Sequence, residues 1–142
     1  MLEPIVLDAS AWLAVLLEED GATAIEAVLH DRTLFAPELI RYETANGILC
    51  AKRSGRSGHK KIPLPEFFEI ILEFPIQIVP MQTWWKRSVE LVEHYDLTFY
   101  DAAYIGIASA LRIPILTMDK KVMKVVAVEK LETVHETHKS GY

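Results

Sequence analysis

The stretch Pro4-Ile5-Val6-Leu7-Asp8-Ala9-Ser10-Ala11-Trp12 decides the fold. Its aliphatic residues run without alternation and stop at an acid, and an apolar helical run follows. A strand buried on both faces reads as a continuous apolar run, which marks a parallel sheet covered by helices on each side. Ser10 is placed to cap a helix from Ala11 to about Glu19, with Gly21 as its stop. The same alternation continues outward. Ala22–His30 reads as a helix, Thr33–Ala36 as a strand, and Pro37 opens a helix to about Arg53. Ser54-Gly55-Arg56-Ser57-Gly58 breaks it. A helix over Pro65–Glu73, a strand over Ile76–Val79 and helices over Thr83–Tyr95 and Thr98–Leu111 come next. Pro114–Thr117 is a strand, Asp119 opens a helix to about Val126, and Leu131–His135 reads as a last strand. The fold class is α/β: a three-layer α/β/α domain with a central, mainly parallel sheet.

The 142 residues fit one domain, with a polar tail from about residue 136 to 142. Apolar residues at 51% and charged residues at 25% exclude a disordered chain. No apolar run approaches the roughly 20 residues of a membrane span, and Met1-Leu2-Glu3-Pro4 has no basic leader region. The lone Cys50, between Leu49 and Ala51, excludes an internal disulfide and reads as a buried thiol. These features fit a cytoplasmic protein without membrane contact. The net charge of −5 argues against holding a polyanion by bulk charge.

Acids at the ends of elements carry the chemistry. In open parallel sheets ligands collect beyond the carboxyl ends of the strands. Asp8 follows Leu7 directly, and Asp119 follows Ile115-Leu116-Thr117-Met118. Each alone is equally readable as a helix cap. Glu43 falls on a helical stripe with Leu39, Ile40, Gly47 and Cys50, where a carboxylate loses hydration. Its plain alternatives are an ion pair with Arg41 or a lysine, or exposure at the stripe's edge. Thr98-Phe99-Tyr100-Asp101 matches a capping box, and the small Ala102, Ala103 and Gly106 let this helix approach other backbone closely. Four such acids brought together cannot all ionise without a counter-charge. Mg²⁺ or Mn²⁺ supplies one, because hard cations take carboxylate oxygens. The five histidines have no zinc-ligand spacing, and no dinucleotide, P-loop or serine-nucleophile motif is present.

Ile5-Val6-Leu7-Asp8-Ala9-Ser10, Ala36-Pro37-Glu38-Leu39 through Glu43 to Asn46, Tyr100-Asp101-Ala102-Ala103-Tyr104-Ile105 and Ile115-Leu116-Thr117-Met118-Asp119 together resemble the PIN domain. Order, spacing and length are similar to VapC-type toxins of toxin–antitoxin pairs over about residues 4 to 126. The resemblance implies a Mg²⁺- or Mn²⁺-dependent endoribonuclease whose catalytic and metal-binding acids are Asp8, Glu43, Asp101 and Asp119. Ser10 and Thr117 match hydroxyl positions lining such sites. It also implies a small antitoxin partner, an RNA substrate and a homodimer.

Lys52, Arg53, Arg56, Lys60 and Lys61 crowd ten positions just past the Glu43 helix, either as an RNA-backbone contact or as a solvated loop. The first helix, Ala11 to Leu17, is apolar all round, so it is either core or covered by a partner. Trp84 and Trp85 cannot share one helix face, which sends one of them towards a surface. Two other functions fit part of the pattern. An aspartyl-phosphate hydrolase needs an acid two residues after Asp8, where Ser10 stands. A non-catalytic RNA- or protein-binding domain of the same fold has no need for four mutually repelling acids.

Overall fold

Ile5, Val6 and Leu7 are fully buried at the middle of a parallel sheet in a computed structural model that describes residues 2–55 and 62–134. In chain order the elements are β1 (Glu3–Leu7), α1 (Ala9–Leu16), α2 (Ala22–His30), β2 (Arg32–Ala36), α3 (Leu39–Arg53) and α4 (Leu64–Glu73). They continue with β3 (Ile76–Ile78), α5 (Met81–His94), α6 (Phe99–Leu111), β4 (Ile115–Leu116) and α7 (Lys120–Val128). The strand order is β3-β2-β1-β4, with Ile5 beside Leu34, Leu34 beside Ile76, and Leu7 beside Leu116. Helices flank this sheet, as the unbroken aliphatic strands require.

The order of the strands fixes where a site forms. The chain steps outward from β1 to β2 to β3, then returns across the sheet to place β4 on the other side of β1. Such a reversal opens a crevice beyond the carboxyl ends of the two strands at the switch. Here those are β1 and β4, which lead into Asp8 and into Thr117 to Asp119.

Two glycines set the helix spacing. A Cβ on Gly47 would stand 2.5 Å from Leu13 Cδ1, so glycine lets α3 close on α1. A Cβ on Gly106 would stand 2.4 Å from Ser88 Oγ and 3.1 Å from the Trp84 carbonyl. That same Ser88 hydroxyl bonds the carbonyls of Trp84 and Ala102, each at 2.9 Å, and pins α6 to α5.

Several local expectations change. Helix α1 begins at Ala9 and ends at Leu16, where Glu18 turns into the left-handed region (φ 53°), rather than running to Glu19. Its N-cap is Asp8, not Ser10, because the Ser10 hydroxyl is engaged elsewhere. The expected strand over Leu131–His135 is a single parallel bridge, Thr133 to Ile115, and His135 lies outside the described residues. Cys50 is exposed, not buried. The buried stripe of α3 is Ile40, Thr44, Ile48 and Ala51, and Cys50 is turned about 100° from Ala51. Trp84 is buried and Trp85 exposed, so the pair divides as expected. Among the described residues no helix is long and apolar enough to cross a membrane. The polar tail after residue 135 lies outside the described residues.

Candidate active site

Asp8 occupies the N-cap of α1, yet its side chain makes no capping bond. Its Oδ2 accepts hydrogen bonds from Ser10 Oγ at 2.8 Å and Thr117 Oγ1 at 2.5 Å. Each hydroxyl has one proton to give, so both serve the backbone as acceptors. Ser10 Oγ receives the Met118 N–H at 2.9 Å, and Thr117 Oγ1 receives the Asp119 N–H at 3.0 Å. This relay bolts the β1–α1 corner to the β4–α7 corner, 109 positions apart in the chain. Asp8 is only 4% exposed. Burial is the main reason its pKa rises from 3.8 to about 6; the charges of Glu43 and Asp101 add to the rise, and the two hydroxyl bonds oppose it.

Glu43 sits beside the buried stripe of α3, half-buried, and its Oε1 accepts the Tyr104 hydroxyl at 2.6 Å. Burial raises its pKa, Asp101 adds to the rise, and the Tyr104 bond opposes it. Tyr104 is itself buried against Glu43, Asp8 and Asp101, so its proton is held far more tightly than usual and its hydroxyl stays a donor. Arg41, one expected partner for Glu43, lines a groove with Tyr42, Ala45, Phe68, Ile71 and Leu72. Its Nε is buried there without a hydrogen-bond partner among the described residues.

Asp101 enters from the first turn of α6. Its N–H donates to Thr98 Oγ1 at 3.1 Å, as the capping box requires. Burial leads the rise of its pKa, followed by the charge of Asp119; Thr98 and Lys121 oppose it. Asp119 caps α7, with Oδ1 accepting the N–H groups of Lys121 at 2.8 Å and Val122 at 3.3 Å. The capping reading therefore holds for Asp119 and fails for Asp8.

Asp8, Glu43 and Asp101 are thus near enough to act on one another by charge, and Asp119 acts on Asp101. The donors are carboxylate and hydroxyl oxygens, which suit a hard divalent cation. Among the described residues no group of three or more acidic, histidine or cysteine side chains is placed to hold a metal ion. A cation such as Mg²⁺, which keeps several waters, needs only one or two carboxylates. Tyr104 escaped notice in the sequence, although it lies three positions after Asp101 and so shares its helix face.

The basic cluster is placed differently. Lys52 Nζ lies 5.6 Å from the centre of the Phe67 ring, and Arg53 is exposed at the end of α3. Ten residues of helix separate Arg53 from Glu43, roughly 15 Å along the axis. Arg56, Lys60 and Lys61 lie outside the described residues. Towards the start of β1 and β2, a largely apolar cavity of about 780 Å³ opens between α1, α2 and α4, lined by Trp12, Val15, Leu16, Leu29, Phe67 and Phe74 among others. Helix α1 is therefore core at Ala11 and Ala14, while its Trp12, Val15 and Leu16 wall the cavity.

Comparison with known proteins places this geometry. The PIN domain matches residues 5–129. Ribonuclease VapC12 of Mycobacterium tuberculosis is 29% identical over 116 residues, covering 81% of this chain and 86% of that protein. A toxin–antitoxin complex from Klebsiella pneumoniae contains a chain of similar fold, with a TM-score of 0.61, 16% identity, and coverage of 93% of this chain and 97% of that one. Mycobacterium tuberculosis VapC20, described as a sarcin–ricin loop cleaving toxin, superposes with a TM-score of 0.61 at 15% identity, covering 85% of this chain and 94% of its own.

Proposed function

The chain belongs to the PIN-domain family, and on that footing we propose that it is a divalent-cation-dependent endoribonuclease of the VapC toxin kind, cleaving RNA at Asp8, Glu43, Asp101 and Asp119. One observation carries this reading: a buried carboxylate, Asp8, lies within reach of the charges of two further acids and has hydroxyl partners but no cationic one among the described residues. A carboxylate buried for structure alone is normally paired with a cation. Strongly perturbed acids gathered in a crevice mark functional sites.

Asp8 and Asp101 are the main ligands in this account, for Mg²⁺ or Mn²⁺. When bound, such a cation makes water a better nucleophile at neutral pH and stabilises charge on the attacking and leaving oxygens. The chain's own residues do the rest. Ser10 and Thr117 hold the Asp8 carboxylate in one orientation. Glu43, held by Tyr104, orients the attacking water and takes up its proton. Asp119 fixes one oxygen in its helix cap, and its charge acts on Asp101. RNA incubated with Mn²⁺ is expected to be cleaved, and EDTA to stop it. Cleavage that ignores EDTA, or none with either metal, would overturn the assignment.

The partners follow from the same kinship. A small antitoxin is the proposed inhibitor, and the apolar cavity between α1, α2 and α4 offers a seat for an apolar segment of it. The proposed homodimer is supported by Met81, Trp85 and Val89, which form an exposed apolar stripe at every fourth position of α5. Trp85→Glu should shift a dimer to monomer in sedimentation; an unchanged species would exclude this face.

A further inference from the structure

The acids explain the cut but not how a strand is laid across them, and the rim of the crevice supplies residues for that. Tyr100, directly before Asp101 in the first turn of α6, is 60% exposed and makes no hydrogen bond or ring contact among the described residues. Large aromatics left in water need a reason, and an unpaired nucleobase is a natural partner for such a ring. The first turn of α7 carries Lys121. Its N–H is bound by Asp119, and its Nζ lies 3.6 Å from Asp96, in the loop before α6. Asp96 stands two residues before the Thr98 cap of α6, so this contact brings the ammonium near the start of the helix that carries Asp101. Its ion pair with Asp96 is exposed on both sides; pairs of that kind contribute little, so a phosphate can displace it. Lys121 already acts on Asp101 by charge, opposing the rise of its pKa.

Building on the ribonuclease reading, we propose that Tyr100 and Lys121 are substrate-positioning residues: Tyr100 stacks an unpaired base beside the scissile phosphate, and Lys121 holds a neighbouring phosphate. Stacking of this kind needs a base outside a duplex, since a base inside one offers no free face. Lys121 also answers the problem set by the net charge of −5. Attraction to the polyanion is supplied beside the acids rather than by the chain as a whole.

The test uses the full chain and one short single-stranded oligoribonucleotide, free or annealed to its complement. Cleavage gives kcat and KM, and anisotropy gives Kd on the Asp8→Asn background. Tyr100→Ala should raise KM and Kd by about 5- to 150-fold, the range for one lost stacked base. Its kcat and Mn²⁺ affinity should stay near wild type, and Tyr100→Phe should restore binding. Lys121→Ala should weaken binding and reduce the slope of log K against log salt by about 0.7. The duplex should bind more weakly than the free strand. Wild-type KM and Kd in either alanine variant would overturn that residue's role, and a Tyr100→Phe as defective as the alanine would overturn stacking. A Tyr100→Ala that alters self-association but leaves Kd unchanged would assign the ring to a protein contact instead. If the wild type neither cuts nor binds the oligonucleotide, the ribonuclease reading itself fails.

Discussion

Asp8 is buried and Glu129 part-buried, and both accept hydrogen bonds from hydroxyl groups, yet their protons are held in opposite senses. Glu129 receives the Tyr95 hydroxyl and Arg87 Nη2, the latter at 2.5 Å. Arg87 also donates through Nε to Ser109 at 2.9 Å and through Nη1 to Glu90 at 3.3 Å, so the group ties α5 and α6 to the end of α7. The Tyr95 bond and the opposite charge of Arg87 hold the Glu129 carboxyl below its usual range. Asp8 has two hydroxyl donors and two acidic neighbours, and its carboxyl is pushed up to about 6. What separates the two regions is burial, far deeper at Asp8, together with the Tyr95 and Arg87 partners that Glu129 has and Asp8 lacks. One acid is already matched by the chain, which is how structural ion pairs are built. The other has hydroxyl donors but no cationic partner among the described residues, which leaves it ready for a cation from solution.

The largest effect that would break this contrast is on catalysis. Asp8→Asn should lower RNA cleavage by at least about 10²- to 10³-fold while leaving the fold intact. A fully active variant would remove Asp8 from the site. The same variant, freed of a buried charge, should be more stable than wild type in EDTA at pH 7, by on the order of 1–3 kcal/mol in urea unfolding.

The pH dependence of stability has opposite signs in the two regions. Because folding raises the pKa of Asp8, its contribution is fully present below about pH 4 and is lost as pH rises through about 6. In EDTA the unfolding free energy should therefore carry a term that falls by up to about 3 kcal/mol over that window. Asp8→Asn should abolish this term. Glu129, with its pKa lowered from 4.5, contributes stability above that value and loses it as pH falls through the folded pKa. A wild type and an Asp8→Asn with identical profiles between pH 4 and 6 would refute the burial argument.

Smaller effects sharpen the division. Arg87→Ala should cost about 1–2 kcal/mol of stability through its lost partners and leave cleavage within about twofold of wild type. Tyr104→Phe should do the reverse, lowering cleavage by about 5- to 10-fold through a freed Glu43 with a smaller change in stability.

Much of this was legible in the chain. Largely aliphatic strands, ending at or shortly before an acid or a proline, pointed to the parallel sheet, and the sequence put Asp8 and Asp119 past strand ends and Asp101 in a first helical turn. Spacing could not say which acids cap. Asp8 and Asp119 look alike in sequence, and the hydroxyls of Ser10 and of Thr117, the latter from across the switch point, hold the Asp8 carboxylate in place of a capping bond. Cys50 was misread because its neighbours Leu49 and Ala51 are apolar, whereas burial on a helix follows steps of three and four. The Arg87–Glu129–Tyr95 group joins positions up to 42 apart, and no local pattern announces it.

Calorimetric titration of Mn²⁺ into wild type and Asp8→Asn at pH 6, in two buffers of different ionisation enthalpy, tests the missing counter-charge directly. Wild type should bind Mn²⁺ saturably and release about half a proton from Asp8, whose pKa lies at about 6. Asp8→Asn should lose that binding and that proton. No saturable binding by wild type, or the same affinity in the variant, would contradict the account.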